Sequence, residues 1–333
     1  MGKLDQIKAV SNMKLKTIIL AAAALCVVSC YDDYVGDYSK VACGFANQTD
    51  VRSIVVGEGM TFSTGIALGG IISNDTDRHI SIGVDYSLVN SDVFNTLKTH
   101  TFPYIVNLMK NVSSISALPA DLYELETGGN SGEVIIRKGT HLGVIKVKVD
   151  SAAFLADAGR LYPKEVLPLV IVDGNGTDII EGRESTVIGV RYENMLFGTW
   201  YHGGYNENET YPSSKPQADN LVWTLTTVEP FALTANAVGG EFNGSAAQMK
   251  LTLNADDTIT ISSVSGAKYA VAQDPAEPSR FVRSKLLQNR KIILNYTYDP
   301  GTGTVHAHDT LYFRNRIRDG VNEWQDENSA NYD

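Results

Sequence analysis

From Val51 onward the chain alternates. In Thr61–Leu68, Phe62, Thr64, Ile66 and Leu68 fall on one side of an extended segment. In Ile80–Tyr86, Ile80, Ile82, Val84 and Tyr86 face one way, and Ser81, Gly83 and Asp85 the other. Leu142–Val149 sets Ile145, Val147 and Val149 against Lys146 and Lys148. A period of two marks a strand with one buried and one wet face. Further apolar runs at Val166–Val172 and Thr186–Tyr192 flank a Gly-rich turn. Helix is sparse. Ser91–Lys98 follows a capping Ser91 or Asp92, Asp150–Asp157 offers a turn or two, and Pro103 interrupts the stretch after the first helix. About six or seven strands with little helix predict a β-sandwich over residues 51–193.

Tyr192-Glu193-Asn194-Met195 marks a boundary, and a second unit is expected over 196–333. It opens with Leu196-Phe197-Gly198-Thr199-Trp200-Tyr201 and passes a polar loop at Asn206–Asn220. Leu221–Val228 follows, then the hairpin Met249–Leu253/Thr258–Ser262, and later the hairpin Lys291–Tyr298/Val305–Phe313. Weaker runs near 231–236, 267–272 and 280–286 bring the total to about eight sequential strands. That suits an antiparallel up-and-down barrel, with a second sandwich as the alternative. The fold class expected is all-β.

Ahead of these strands the pattern changes. Met13-Lys14-Leu15-Lys16 is a basic start, and Thr17–Val28 is an uncharged, Ala-rich apolar run. Such a run is a secretory signal, too short to span a membrane. Residues 1–12 fit no signal pattern and point to Met13 as the initiator. Val27-Val28-Ser29-Cys30 then puts a cysteine after a small residue and before Tyr31-Asp32-Asp33. This is how a bacterial lipoprotein signal ends: residues 1–29 leave, Cys30 carries the lipid, and 30–50 form a polar tether. The plainer reading is an ordinary signal cleaved near Ser29. Several acyl chains on one residue anchor stably where one chain is marginal.

Removing the leader, with its four Lys and one Asp, takes the net charge from −10 to −13. An acidic surface argues against nucleic acid and against a polybasic membrane patch. Of the three cysteines, Cys26 leaves with the leader and Cys30 is acylated; Cys43, alone, reads as a small buried residue and permits neither an internal disulfide nor a thiolate metal site.

Several stretches together carry a family resemblance. They are the lipoprotein box, Leu118-Pro119-Ala120-Asp121-Leu122-Tyr123, and the Pro-containing run Leu167-Pro168-Leu169-Val170-Ile171. To these add Asp309-Thr310-Leu311-Tyr312-Phe313-Arg314-Asn315-Arg316 and Asp319-Gly320-Val321-Asn322-Glu323-Trp324. The chain, roughly from 40 to 327, resembles a family of Bacteroidetes surface lipoproteins of polysaccharide-utilisation loci. There an immunoglobulin-like domain precedes a C-terminal β-domain. The loose box resembles the relaxed boxes of that phylum, and Tyr31-Asp32-Asp33 resembles its surface-export signal. The resemblance implies an outer-membrane protein facing the exterior, capturing glycan beside a TonB-dependent transporter and its starch-binding-type partner. Gly198-Thr199-Trp200 also resembles the Gly-x-Trp of a lipocalin's first strand. That implies a barrel floor closed by Trp200 under an arginine from the last strand, Arg314 or Arg316, with structural roles only.

Four patterns compete as sites. Asp173–Glu184 places oxygens like an EF-hand loop but holds Asp178 where glycine is needed, and strands flank it, so a turn is the better reading. His306-Ala307-His308 puts two imidazoles on one strand face with no third ligand nominated. No metal or other cofactor is expected. A glycosidase built on a TIM barrel needs about 250 residues, and the stretch after Phe197 is barely half that. No sequence motif nominates the two carboxylates glycosidases use, so the protein is not expected to be an enzyme. The aromatic set is favoured. Tyr201, His202, Tyr205 and Tyr211 surround a loop rich in Asn and Glu, and Trp324 sits in a polar tail. Trp223, which suits the core better, completes it; Trp200 reads as core. Flat rings cover sugar faces while amide and carboxylate groups answer hydroxyls.

The function expected is non-catalytic glycan binding, with polysaccharide or oligosaccharide as partner and the membrane reached only through lipid. An adhesin or transporter-associated subunit is the second reading; a hydrolase or a carrier of apolar ligands comes after. Replacing Cys30 with serine is expected to abolish palmitate labelling of the full chain in its bacterial host. Labelling that persists in that variant places the acyl group elsewhere.

Overall fold

The computed structural model describes residues 40–129, 132–211, 222–241 and 246–324. The signal sequence and Cys30 lie outside them, as does most of the polar loop after Tyr211.

The first unit begins with β1 (Ala42–Phe45), β2 (Thr49–Val56), β3 (Thr61–Gly69), β4 (Arg78–Val84), β5 (Ser116–Ala117) and β6 (Tyr123–Glu126). It continues with β7 (Glu133–Ile136), β8 (Leu142–Val149), β9 (Glu165–Asp173), β10 (Asp178–Ile179) and β11 (Ser185–Asn194). These make two facing sheets. One has the order β10-β1-β3-β8-β6; the other runs β2-β11-β9-β4-β7, with β5 beside β9. β2 runs parallel to β11, and the other long pairs are antiparallel. The core of this order, β1-β3-β8-β6 against β11-β9-β4, follows the immunoglobulin scheme of ABED against GFC. β7 departs from it, joining β4 although it follows β6 in the chain. The alternation read from sequence is plain in β8, where Gly143, Ile145, Val147 and Val149 are buried and the residues between them exposed.

Two differences from the sequence reading have simple causes. The tether expected over 30–50 gives way to strand at Ala42, because Cys43 and Phe45 plug the sandwich core at 0% exposure. Pro103 starts a helix instead of ending one. α1 (Ser91–Lys98) is capped by Asn90, whose side chain accepts from the amides of Asp92 and Val93. α2 (Pro103–Met109) carries the proline at its first position, where a missing N–H costs nothing. Leu97, Ile105 and Met109 of these helices cover Val51, Val166 and Val187 on the outside of the second sheet. β11 is therefore buried on both faces, and its apolar stretch Val187–Val190 does not alternate. α3 (Ser151–Leu155) supplies the predicted turns near 150.

The second unit has β12 (Gly198–Tyr205), β13 (Thr210–Tyr211), β14 (Val222–Glu229), β15 (Ala232–Ala235), β16 (Met249–Leu253) and β17 (Thr258–Ser263). β18 (Val271–Gln273), β19 (Ser279–Val282), β20 (Lys291–Tyr298) and β21 (Val305–Asn315) follow. Taken in chain order they form a closed antiparallel barrel of 8 staves, with β13 an appended arm on β12. β18 and β19 together make the sixth stave: both pair with β17 on one side and β20 on the other. β21 closes the barrel on β12. Inward side chains fill it, among them Trp200, Trp223, Met249, Leu294 and Phe313.

Trp200 lies on the floor, donates Nε1–H to the Leu196 carbonyl at 3.0 Å and meets Phe313 edge-on at 5.4 Å. The lipocalin-type arginine over this tryptophan is not what the strands deliver. Arg314 points outward and lies over Tyr201, with its guanidinium carbon 5.8 Å from the ring centre, because Phe313 beside it takes the inward position. Arg316 tucks under the barrel against Phe197 instead, at 5.2 Å.

Arg316 also joins the two units. It holds Glu58, in the turn between β2 and β3, at 2.9 Å, and Glu323 at 2.5 Å, while Arg290 reaches the same Glu58 at 2.6 Å. Glu323 follows a small hairpin, β22 (Ile317–Arg318) and β23 (Val321–Asn322), whose turn residue Asp319 accepts from the amide and hydroxyl of Ser53. Burial pushes the Glu58 carboxyl up, but Arg316 and Arg290 outweigh it and hold it below its ordinary range. Its contribution to stability is therefore complete above the ordinary value of 4.5 and fades as pH falls through the lower folded value. Arg316→Met is expected to cost about 1.5–3 kcal/mol in urea unfolding at neutral pH, since it removes the cation shared by Glu58 and Glu323 and leaves Glu58 to Arg290 and Glu323 to Arg318. Glu58→Gln should shrink the loss of stability on acidification below 4.5; an unchanged acid limb would remove Glu58 from the account.

Candidate functional site

The parity of β12 decides which of the sequence-selected rings can meet a ligand. Trp200 faces inward, so His202 does as well, and Tyr201 and Tyr205 face out. Tyr205 is 53% exposed, whereas His202 and Trp223 are fully buried. Tyr211, on the appended arm, folds back and is buried beside His202, its ring centre 4.5 Å away. His202 stacks on Trp223 at 4.6 Å. Trp324 is 59% exposed beyond the small hairpin at the joint of the two units. Tyr201, Tyr205, Tyr211 and Trp324 do not line one open groove: strand alternation and the folded-back arm divide them.

The inner group is a closed polar cluster. Asp309 on β21 receives His202 Nε2 at 2.8 Å on one oxygen and the Tyr296 hydroxyl at 2.6 Å on the other. Tyr296 in turn accepts from the Gly239 amide at 2.7 Å. Burial, then the Asp309 carboxylate, raises the Tyr296 hydroxyl well above its ordinary range. Burial does the same to Tyr211 and takes the half-covered Tyr298 to about 12. With both oxygens engaged and no exposure, Asp309 fastens three staves from inside.

The outer group lies across the seam where β12, β21 and β20 run side by side. Register places Asn295, His308 and Tyr205 in one row, Ile293, Thr310 and Gly203 in the next, and Lys291, Tyr312 and Tyr201 in a third. Tyr205 stacks on His308 with ring centres 4.7 Å apart and planes 21° from parallel. The middle row is low because Gly203 has no side chain. Next to it Gly204 takes φ +125°, and a Cβ there would lie 2.1 Å from the His308 carbonyl oxygen, so only glycine lets the two strands approach. The two aromatic rows thus flank a trough roughly 13 Å long.

The broken sixth stave raises one wall of the trough. Between β18 and β19 the chain leaves the barrel over Asp274–Pro278, and Glu277 and Pro278 overhang the surface. Asn295 bridges the gap. Its amide donates to Ser279 Oγ at 2.8 Å, its side chain donates to the Pro278 carbonyl at 3.2 Å, and its carbonyl accepts from Gln273 at 3.1 Å. The result is a cleft of about 450 Å³ that includes Tyr205, Glu277, Arg280, Asn295, His308 and Tyr312. Sequence reasoning missed Arg280, Asn295 and Tyr312. The alternation of β20 and β21 would have placed the last two on the outside; Pro275 and Pro278 mark a break in the sixth stave, but not the side to which the chain leaves.

The remaining patterns resolve locally. His306 binds Asp274 at 3.0 Å and His308 binds Asn295 at 3.1 Å, so the two imidazoles are pinned to separate partners. The Asp274 bond raises His306 above its ordinary range. In the Asp173–Glu184 loop, Asn175 is tied to the His79 carbonyl and the Ser81 hydroxyl. Among the described residues no three His, Cys, Asp or Glu side chains gather as a metal site. No described helix is long and apolar enough to cross a membrane.

No protein-family model matches the chain, and no curated protein matches it. Solved structures do. A Bacteroides ovatus protein of unknown function, 18% identical, aligns over 83% of this chain and 95% of its own with a TM-score of 0.56. Another from the same organism, also of unknown function, is 16% identical over 87% of this chain and 98% of its own, with a TM-score of 0.39. An auxiliary nutrient binding protein from Bacteroides thetaiotaomicron is 14% identical over 80% of this chain and 87% of its own, with a TM-score of 0.35. Only the first of these likenesses is one of fold.

Asp309→Ala is expected to leave His202 and Tyr296 without their shared acceptor, costing about 2–5 kcal/mol in urea unfolding. Asp309→Asn, which keeps one acceptor oxygen, should cost less. Equal losses would mean that the carboxylate's two bonds carry no weight.

Proposed function

We propose that this protein is a non-catalytic, lipid-anchored surface protein that binds oligosaccharide on the outer wall of its barrel. The observation that carries the reading is the exposed Tyr205–His308 stack beside a cleft lined by an amide, a carboxylate and a guanidinium. A sugar has flat C–H faces and a rim of hydroxyls; rings cover the first and fixed polar groups answer the second. The wall belongs to a rigid barrel, so little ordering is needed on binding. In this reading the lipid on Cys30 sets the protein at the outer membrane, facing the exterior. The sandwich acts as spacer or docking module, and captured glycan passes to a TonB-dependent transporter.

The site proposed is shifted from the one the sequence favoured. Tyr201 and Tyr205 remain; His202, Tyr211 and Trp223 support the barrel from within, and Trp324 stands apart. The reading is non-catalytic and gives the cleft's carboxylates other roles: the buried Asp309 braces the barrel with both oxygens engaged, and Glu277 stands on the open rim.

The test is affinity electrophoresis and calorimetry of the Cys30→Ser chain against a broad polysaccharide panel. Tyr205→Ala and His308→Ala are each expected to weaken binding by about 0.5–1.5 kcal/mol, up to roughly tenfold. Silence across the panel at millimolar sugar overturns the reading. Capture of a protein partner with no response to sugar favours the adhesin or transporter-subunit reading instead.

A further inference from the structure

The charge on this wall runs against the charge of the molecule. The chain carries 38 acidic residues against 28 Lys and Arg. Yet in the four strands that make the wall, β12, β19, β20 and β21, the one acid is Asp309, and it faces inward. The outward positions hold Arg280, Lys291 and Arg314. Each stands by a different part of the trough: Arg280 beside Ile293 of the middle row, Lys291 over the Tyr312 ring at 5.3 Å, and Arg314 over Tyr201. Arg280 is exposed at the cleft, and its guanidinium forms no ion pair or hydrogen bond with any described residue. The nearest acid of the rim, Glu277, is 3.5 Å from His308 and forms no ion pair with Arg280.

An arginine exposed at a cleft with its planar donors unspent is suited to a carboxylate, which it meets with two parallel bonds. Aromatic rows at either end give the sugar rings something flat to lie on. A trough roughly 13 Å long accepts about two or three rings. From this we infer that the cleft takes an acidic oligosaccharide, one whose sugars bear carboxylates, with Arg280 on a carboxylate and Lys291 and Arg314 on its neighbours. The inference rests on the carbohydrate reading above and narrows it to hexuronate-containing chains. At physiological salt the Debye length is about 8 Å, so acids farther than that from the trough are screened there, while these cations would meet a carboxylate at contact.

The experiment uses matched polymers that differ only in charge: polygalacturonate and alginate, each beside its carboxyl-reduced form, titrated into the Cys30→Ser chain. At least one polyuronate is expected to bind about tenfold or more tightly than its reduced partner, and more weakly as salt rises. Arg280→Gln and Lys291→Gln should each erase most of that preference while leaving the reduced form bound within about twofold. Lys148→Gln, on the sandwich, should change neither. Equal binding of both members of each pair, or a preference that survives Arg280→Gln, overturns the acidic assignment and leaves the carbohydrate reading in place. Binding of dextran sulfate with no polyuronate bound overturns the carboxylate assignment. Silence with every polymer removes both.

Discussion

The pairing of β12 with β21 is the constraint on which the second unit depends. It joins the first and last staves and closes the barrel, so no long edge remains open. The floor contact of Trp200 with Phe313 and the interior bond of His202 to Asp309 both cross it. So does the stack of Tyr205 on His308. Inside and outside of the seam are thus built by the same ladder, residue by alternate residue. The closeness of the strands at Gly204 is what lets a trough form without opening the wall.

Most strands of both units were legible because they have one wet face, and a period of two shows wherever burial is one-sided. The hairpins β16–β17 and β20–β21 lie where their apolar runs and turn residues put them. Reading failed where the chain was irregular. β11 was read as a strand from its apolar run although helices cover its outer side, but Pro103 opens the second of those helices from a position where proline resembles a stop signal. Strand β1 is short enough to pass for tether.

The site was only partly legible. His202 lies on the same side of β12 as Trp200, so its inward position follows from the assignment of Trp200 to the core. Tyr211 gave no such sign, since its burial depends on how β13 turns back on β12. Arg314 follows from alternation once Phe313 is placed inside, but Arg316 lies just beyond the end of β21, where alternation no longer says which side a residue takes. Arg280 became visible only once β18 and β19 proved to be two halves of one stave.

That divided stave governs how the wall can diversify among proteins of this architecture. The segment Asp274–Pro278 overhangs the trough, yet the rungs it omits are supplied by side chains of Gln273, Ser279 and Asn295. The overhang is thereby uncoupled from the ladder beneath it. Its length and composition are free to vary by insertion or substitution while the cylinder stays sealed, so selectivity at the rim can drift without a matching drift in foldability.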